Sequence, residues 1–130
     1  MIVRSISKIT DTDRDVSTPN WRSKRIVLAD DGSGFSLHET EMYANTVNEF
    51  CYSRHIEAVL VVEGNGLLVD CASGARWDLQ PGVMYMLDNH DRHQVLPATD
   101  IRMICVFSPA LTGREVHDET GAYPLPQSDE

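Results

Sequence analysis

The sequence predicts an all-β fold, a single-domain jelly-roll barrel of about ten short strands, on three observations. Turn residues recur roughly every eight to twelve positions along most of the chain. No stretch holds a sustained helical period, whereas two-residue alternation returns repeatedly. Two stretches, AVLVV at 58–62 and MICVF at 103–107, are apolar on both faces. Such strands are expected to be buried on both sides between packed sheets.

In chain order, Met1–Ile6 alternates and is expected to form a first, edge strand. Ser7–Asn20 is polar, ends in Thr-Pro-Asn and reads as loop, closed by Trp21. Ser23–Ala29 is a strand, and Asp30-Asp31-Gly32-Ser33-Gly34 has hairpin turn chemistry. Phe35–Tyr43 alternates so that Ser36, His38, Thr40 and Met42 share one side. Strands are expected next at Thr46–Ser53 and His55–Val62. The Glu63-Gly64-Asn65-Gly66 turn leads to Leu67–Cys71, and Ser73-Gly74 to Arg76–Leu79. Pro81–Leu87, His93–Leu96 and Ile101–Ser108 complete the set. Beyond Pro109 the periodicity breaks. The domain is expected to span 1–124, with 125–130 a flexible acidic tail.

A chain of 130 residues can bury one core without staples. The net charge of −9 argues against a nucleic-acid partner, since phosphate binding is driven by Lys and Arg. No apolar run approaches the ~20 residues of a membrane span, and no secretion signal is visible at the N-terminus. Cys51, Cys71 and Cys105 are odd in number, lack CxxC spacing and read as reduced thiols. The protein is expected to be cytoplasmic, with no membrane partner.

The stretch PGVMYMLDNHDRH, residues 81–93, organises the candidate chemistry. A polar turn at Asp88–Asp91 separates two strands and brings Tyr85 near His93. A phenol and an imidazole aimed into one barrel supply two-thirds of a metal site, and Glu57 is the carboxylate candidate for the third. A carboxylate in an apolar strand is costly without a partner. On pattern alone, Tyr85 reads equally as a core or rim aromatic, and Cys105 and Phe107 as ordinary core. His38 and His90 read as structural or surface residues.

These positions resemble the cupin motifs. Glu57 is followed by six residues and Gly64, as in the first motif, and His93 follows a Pro-Gly turn and a strand, as in the second. The His-x-His pair of the first motif is absent, its positions falling near Cys51 and Ser53. A narrower likeness is carried by MIVR at the N-terminus, EAV around Glu57, PGVMYMLDNHDRH, CVFSP at 105–109 and LTGREVHDETGAYP at 111–124. In that order and spacing they resemble the ectoine synthase family from Met1 to about Pro124.

The resemblance implies a cupin enzyme that closes N-gamma-acetyl-L-2,4-diaminobutyrate into the cyclic amidine ectoine, a compatible solute, with loss of water. It implies ferrous iron, or another divalent metal, held by Glu57, Tyr85 and His93. Two anionic oxygens and an imidazole suit a divalent iron with open positions. Trp21, Arg25, Thr40, Cys105 and Phe107 are implied as substrate-binding, with Trp21 and Arg25 at the mouth and Arg25 a partner for the substrate carboxylate. Tyr52, Glu115 and His117 are implied as catalytic, the last two on a C-terminal tail that closes as a lid. His55, on the face of Glu57, would support that carboxylate. The family likeness, with an exposed MIVRSI edge, implies a homodimer.

The chain departs from the family pattern in having Cys51 where His is common, in NTVNEFC at 45–51, and in the extra charges Glu39 and Glu41 beside Thr40. Two alternatives share the remaining pattern: a relative acting on another acylated diamino acid, and a ligand-binding cupin that has lost turnover.

Overall fold

Alternating strands need a second apolar surface to face, and the chain supplies it by folding into two antiparallel sheets. The computed structural model describes residues 1–52 and 54–112. Its strands are β1 (Asp15–Ser17), β2 (Trp21–Val27), β3 (Ser36–Met42), β4 (Asn48–Phe50), β5 (Ile56–Glu63), β6 (Gly66–Asp70), β7 (Arg76–Leu79), β8 (Met84–Leu87), β9 (His93–Pro97) and β10 (Ile101–Ser108). A six-stranded sheet runs β1-β2-β3-β10-β5-β8, and a four-stranded sheet runs β4-β9-β6-β7. The all-β fold of ten strands agrees with the sequence expectation. The inward rows hold Val59, Val61, Val95, Ile101 and Met103, each no more than 1% exposed.

Several local expectations fail for identifiable reasons. Met1–Ile6 is no strand: residues 1–5 are irregular and Ile6–Ile9 forms one turn of α-helix, α1. An alternating segment becomes a strand only beside a free edge, and the outer edge of β2 is taken by β1, with Asp15 paired to Lys24 and Ser17 to Arg22. The N-terminal arm is instead tied by side chains, Arg4 donating to both carboxylate oxygens of Asp31 at 3.0 and 2.6 Å. The expected loop at Ser7–Asn20 therefore contains the end of a helix and a strand. The expected strand at Thr46–Ser53 shortens to β4.

Strand β5 is not buried on both sides. Glu57, Val59 and Val61 face the core, while Ile56 and Leu60 are exposed at 44% and 43%. A two-layer sandwich covers only the inner face of each sheet. The outer rows of β10 are half-buried.

One end of the sandwich is drawn tight around Pro97–Asp100. The backbone N–H groups of Ala98 and Thr99 donate to the Asn65 carbonyl (2.9 and 3.1 Å), and that of Asn45 donates to the Pro97 carbonyl (2.9 Å). Ala44 N–H donates to the Asp100 carboxylate (2.8 Å). Three crossings between the sheets, β3–β4, β5–β6 and β9–β10, thus meet at one place. Gly64 makes this possible. Its φ is +90°, and a Cβ there would lie 2.1 Å from the Asp100 carbonyl oxygen.

Gly64→Ala is expected to lower stability by about 3 kcal/mol or more, combining left-handed strain with a backbone clash. Gly74, at φ +75° with open space around it, should lose only about 1–2 kcal/mol on the same change. Urea unfolding of the two variants distinguishes these costs; equal losses would show that the Asp100 contact is unimportant.

Candidate active site

Glu57, Tyr85 and His93 reach the interior from three strands in two sheets. In the β5–β8 ladder Glu57 pairs with Leu87 and Val59 with Tyr85, so the carboxylate and the phenol are diagonal neighbours. His93 opens β9 in the facing sheet, paired with Phe50 and Asp70. Its ring centroid lies 6.3 Å from that of Tyr85, 6.0 Å from Tyr52 and 5.8 Å from Phe50.

All three side chains line one interior cavity, shared with Trp21, Thr40, Tyr52, Cys105 and Phe107. Its volume is about 20 Å³, room for a single water. A molecule larger than water could enter only if these side chains parted. On the other side of Tyr85 and His93 lies a groove of about 530 Å³ between the free edges of β7 and β8, lined also by Leu68, Trp77 and Met84.

The electrostatics of the trio follow from burial. Loss of water raises the Glu57 carboxyl to about 8, against a smaller opposing effect of the Cys105 thiol hydrogen-bonded to it. Burial, with Glu57 and then Cys105 adding charge repulsion, raises the Tyr85 phenol well above its ordinary value. Burial lowers His93, keeping the imidazole neutral. His93 Nδ1 sits 3.0 Å from the Asp91 carbonyl. A carbonyl only accepts, so Nδ1 carries the proton and Nε2 keeps a free lone pair.

The donor set fits a divalent cation. A neutral imidazole with its second nitrogen held by a carbonyl is the usual form of a metal-binding histidine. A carboxyl and a phenol protonated only by burial are groups that a bound cation would return to their anionic forms. Among the described residues no cluster of three drawn from His, Cys, Asp and Glu alone could hold a metal; the trio here depends on a tyrosine.

The remaining expected residues divide. Thr40 and Cys105 are inward neighbours across β3 and β10, and a hydrogen bond joins them. Tyr52 stacks on Phe50 at 5.9 Å and meets Phe107 edge-on at 5.1 Å. Trp21 and Arg25, expected together at the mouth, are separated: Trp21 pairs with Met42 and Arg25 with His38. Four residues along β2 place them roughly 13 Å apart. Arg25 is 0% exposed, and its charge helps hold His38 well below its ordinary pKa, after burial itself. Glu115 and His117, and the lid expected of the tail, lie outside the described residues.

Four residues near the site were not singled out for it from sequence. His38, expected to be structural or surface, lines the cavity together with Ser23. His90 donates from Nδ1 to the Tyr52 carbonyl (2.8 Å), and its own carbonyl accepts from the Cys51 thiol (3.4 Å). That couples the loops before β5 and before β9. Asp91 acts through its backbone carbonyl, which no side-chain pattern could reveal. The placement of His38 did have a signal, since it alternates with Thr40 on β3. His55, expected to support Glu57, donates from Nδ1 to the Pro109 carbonyl (2.9 Å) and meets Phe107 edge-on. Of the departures noted above, Glu39 is ion-paired to Arg102 at 2.8 Å on the outer face and Cys51 is half-buried on its loop, whereas Phe50, within the 45–51 stretch, lines the cavity.

A two-sheet barrel with a histidine, a tyrosine and a carboxylate turned inward is a cupin, and solved structures agree. An RmlC-like cupin from Shewanella frigidimarina superposes with a TM-score of 0.62 at 19% identity, over 74% of this chain and 82% of that one. Ectoine synthase from P. lautus superposes with a TM-score of 0.88 at 41% identity, over 98% of this chain and 94% of that one. L-ectoine synthase of Saccharopolyspora erythraea is 59% identical over 130 residues, 100% of this chain and 96% of the relative. The family model for ectoine synthase matches residues 1–127. The chain belongs to the ectoine synthase family and is an enzyme of that kind. Among the described residues, no helix is long and apolar enough to cross a membrane.

The buried carboxyl makes a testable demand on the metal-free protein. A raised folded pKa contributes stability that is full below the ordinary glutamate value of 4.5 and is lost as pH rises through about 8. Metal-free wild type should therefore weaken from pH 6 to 9, while Glu57→Gln, which cannot ionise, should show a flatter profile. Urea midpoints across that range test this; parallel profiles would mean that Glu57 is not held protonated.

Proposed function

We propose that the chain is an L-ectoine synthase, a hydro-lyase that cyclises N-gamma-acetyl-L-2,4-diaminobutyrate to ectoine in the cytoplasm, with Glu57, Tyr85 and His93 holding a ferrous ion. The observation that carries this reading is the convergence of those three side chains on one interior cavity, in a chain matched nearly end to end by proteins named L-ectoine synthase. When bound, a divalent metal supplies Lewis acidity toward the acetamide carbonyl oxygen.

The residues of the chain do the rest. The substrate's alpha-amine bonds to its own acetamide carbon, and the oxygen leaves as water on protons shed by the nitrogens. An apolar wall of Trp21, Cys105 and Phe107 disfavours the ammonium form and so frees the attacking lone pair. Arg25 offers a buried cation for the substrate carboxylate, and Thr40 a hydroxyl. Folding a flexible chain so that amine and carbonyl touch supplies a large part of the acceleration. Tyr52, in edge contact with Phe107, delivers a proton to the departing oxygen, with Glu115 and His117 of the tail as its acid–base partners.

The proposed assembly is a symmetric homodimer. It is supported by exposed Leu60, Met84 and Met86 on the outer face of edge strand β8 and its neighbour β5, and by exposed Met1, Ile2 and Val3. A monomeric mass by light scattering at micromolar concentration would exclude it.

Protein reconstituted with ferrous iron under reducing conditions should form ectoine, followed by NMR, and chelation should stop it. Glu57→Ala and His93→Ala should each lose both the iron and turnover. Tyr52→Phe should keep the iron and lose about 100-fold in kcat. Full activity with stoichiometric iron in Glu57→Ala would overturn the ligand assignment. A folded, iron-loaded wild type without product would favour the non-catalytic alternative.

A further inference from the structure

Ser23 lies on the cavity wall at the end of a hydrogen-bonded chain that begins in the backbone. The buried N–H of Leu111 donates to Ser36 Oγ at 3.3 Å. Ser36 Oγ also meets His38 Nε2 at 3.0 Å, and His38 Nδ1 meets Ser23 Oγ at 3.1 Å. Ser36, His38 and Ser23 are all essentially sealed from solvent. Among the described residues the two serine hydroxyls make no further hydrogen bond.

Among the described residues, only one arrangement of protons places the unpartnered hydroxyl proton on the cavity, lined by Ser23, rather than in the closed wall behind it. A neutral imidazole has one N–H and one bare nitrogen, and a hydroxyl has one proton to give. If His38 donated from Nε2, Ser36 would accept from both His38 and Leu111. Its own proton would then be buried without an acceptor, which is the costly outcome. If instead Ser36 donates to Nε2, the serine is satisfied and the imidazole proton sits on Nδ1. His38 then donates to Ser23 Oγ, and the Ser23 proton, with no other acceptor among the described residues, points into the cavity. Burial beside Arg25 keeps His38 neutral, as this requires.

We infer that Ser23 is a substrate-positioning residue, a hydrogen-bond donor whose direction is set by the chain Leu111–Ser36–His38. Resting on the proposed reaction for the ligand's identity, its partner is an acceptor oxygen of the substrate, in the carboxylate or the acetamide. Thr40 stands opposite Ser23 in the β2–β3 register, so two hydroxyls address the same space. The Ser23 proton is the one committed in advance, without reorganisation when substrate arrives.

Two measurements test this. Nitrogen-15 NMR of ring-labelled protein, with His38→Gln to assign the signal, should show His38 protonated on Nδ1. That preference should be lost in Ser36→Ala. A His38 protonated on Nε2, or on both nitrogens, overturns the chain. Separately, Ser23→Ala should weaken substrate affinity and raise KM about 10-fold, while Ser23→Thr restores both to within about 2-fold. Unchanged affinity and KM in Ser23→Ala overturn the positioning role. Unacetylated L-2,4-diaminobutyrate locates the partner: a retained loss in Ser23→Ala assigns the carboxylate, and a vanished one the acetamide oxygen. A wild type that neither binds nor converts the acetylated substrate refutes the reaction, while the tautomer still decides the chain.

Discussion

A carboxyl group removed from water sits inside the core, among aromatic rings, methionines and a few buried polar groups. Burying Glu57 as an anion would cost several kcal/mol, and the surroundings answer that cost in a consistent way. The thiol of Cys105 gives it one weak hydrogen bond. Tyr85 and His93 face it from β8 and β9, and both are kept uncharged by the same loss of solvent. The result is a site neutral by itself, with a donor set that fits a divalent cation. The two sheets have to stay in register for these three strands to meet, so the site and the sandwich hold together or fail together.

Around that centre the structure separates a stiff end from a reactive one. Crossings of the chain between the sheets are tied at Pro97–Asp100 by backbone hydrogen bonds and by the side chains of Thr99 and Asp100. At the other end, the loops before β5 and β9 are joined by His90 through the Tyr52 carbonyl and the Cys51 thiol. The candidate site residues Glu57 and His93 project from β5 and β9, which both lead into the tied end.

How much of this could be read in the sequence depends on what kind of signal each feature leaves. The strands β7 and β10 were legible to the residue, because alternation and turn chemistry bracket them. The positions of Glu57 and His93 were legible through spacing, and Tyr85 through its place between a Pro-Gly turn and a polar one. Met1–Ile6 was misread because alternation records the capacity to be a strand, not whether an edge is free. The outer face of β5 was misread for a similar reason: Ile56 and Leu60 are as apolar as Val59 and Val61, and composition does not say which side has a cover. The contacts of His90 and Asp91 left no trace, since they run through backbone carbonyls, and of the two serines that meet His38 only Ser36, two residues away on the same face, left one.

Gly64 gives the stretch behind it a property of measurement. It is locked against the Asp100 backbone, and six residues separate it from Glu57. Along a strand each step turns the next side chain to the opposite face. Inserting or deleting one residue in that interval would leave Gly64 fixed and rotate Glu57 outward, bringing an alanine or isoleucine into the cavity in its place. The interval therefore behaves as a ruler graduated in parity. Substitutions within it keep that parity, whereas a change in its length by one inverts it.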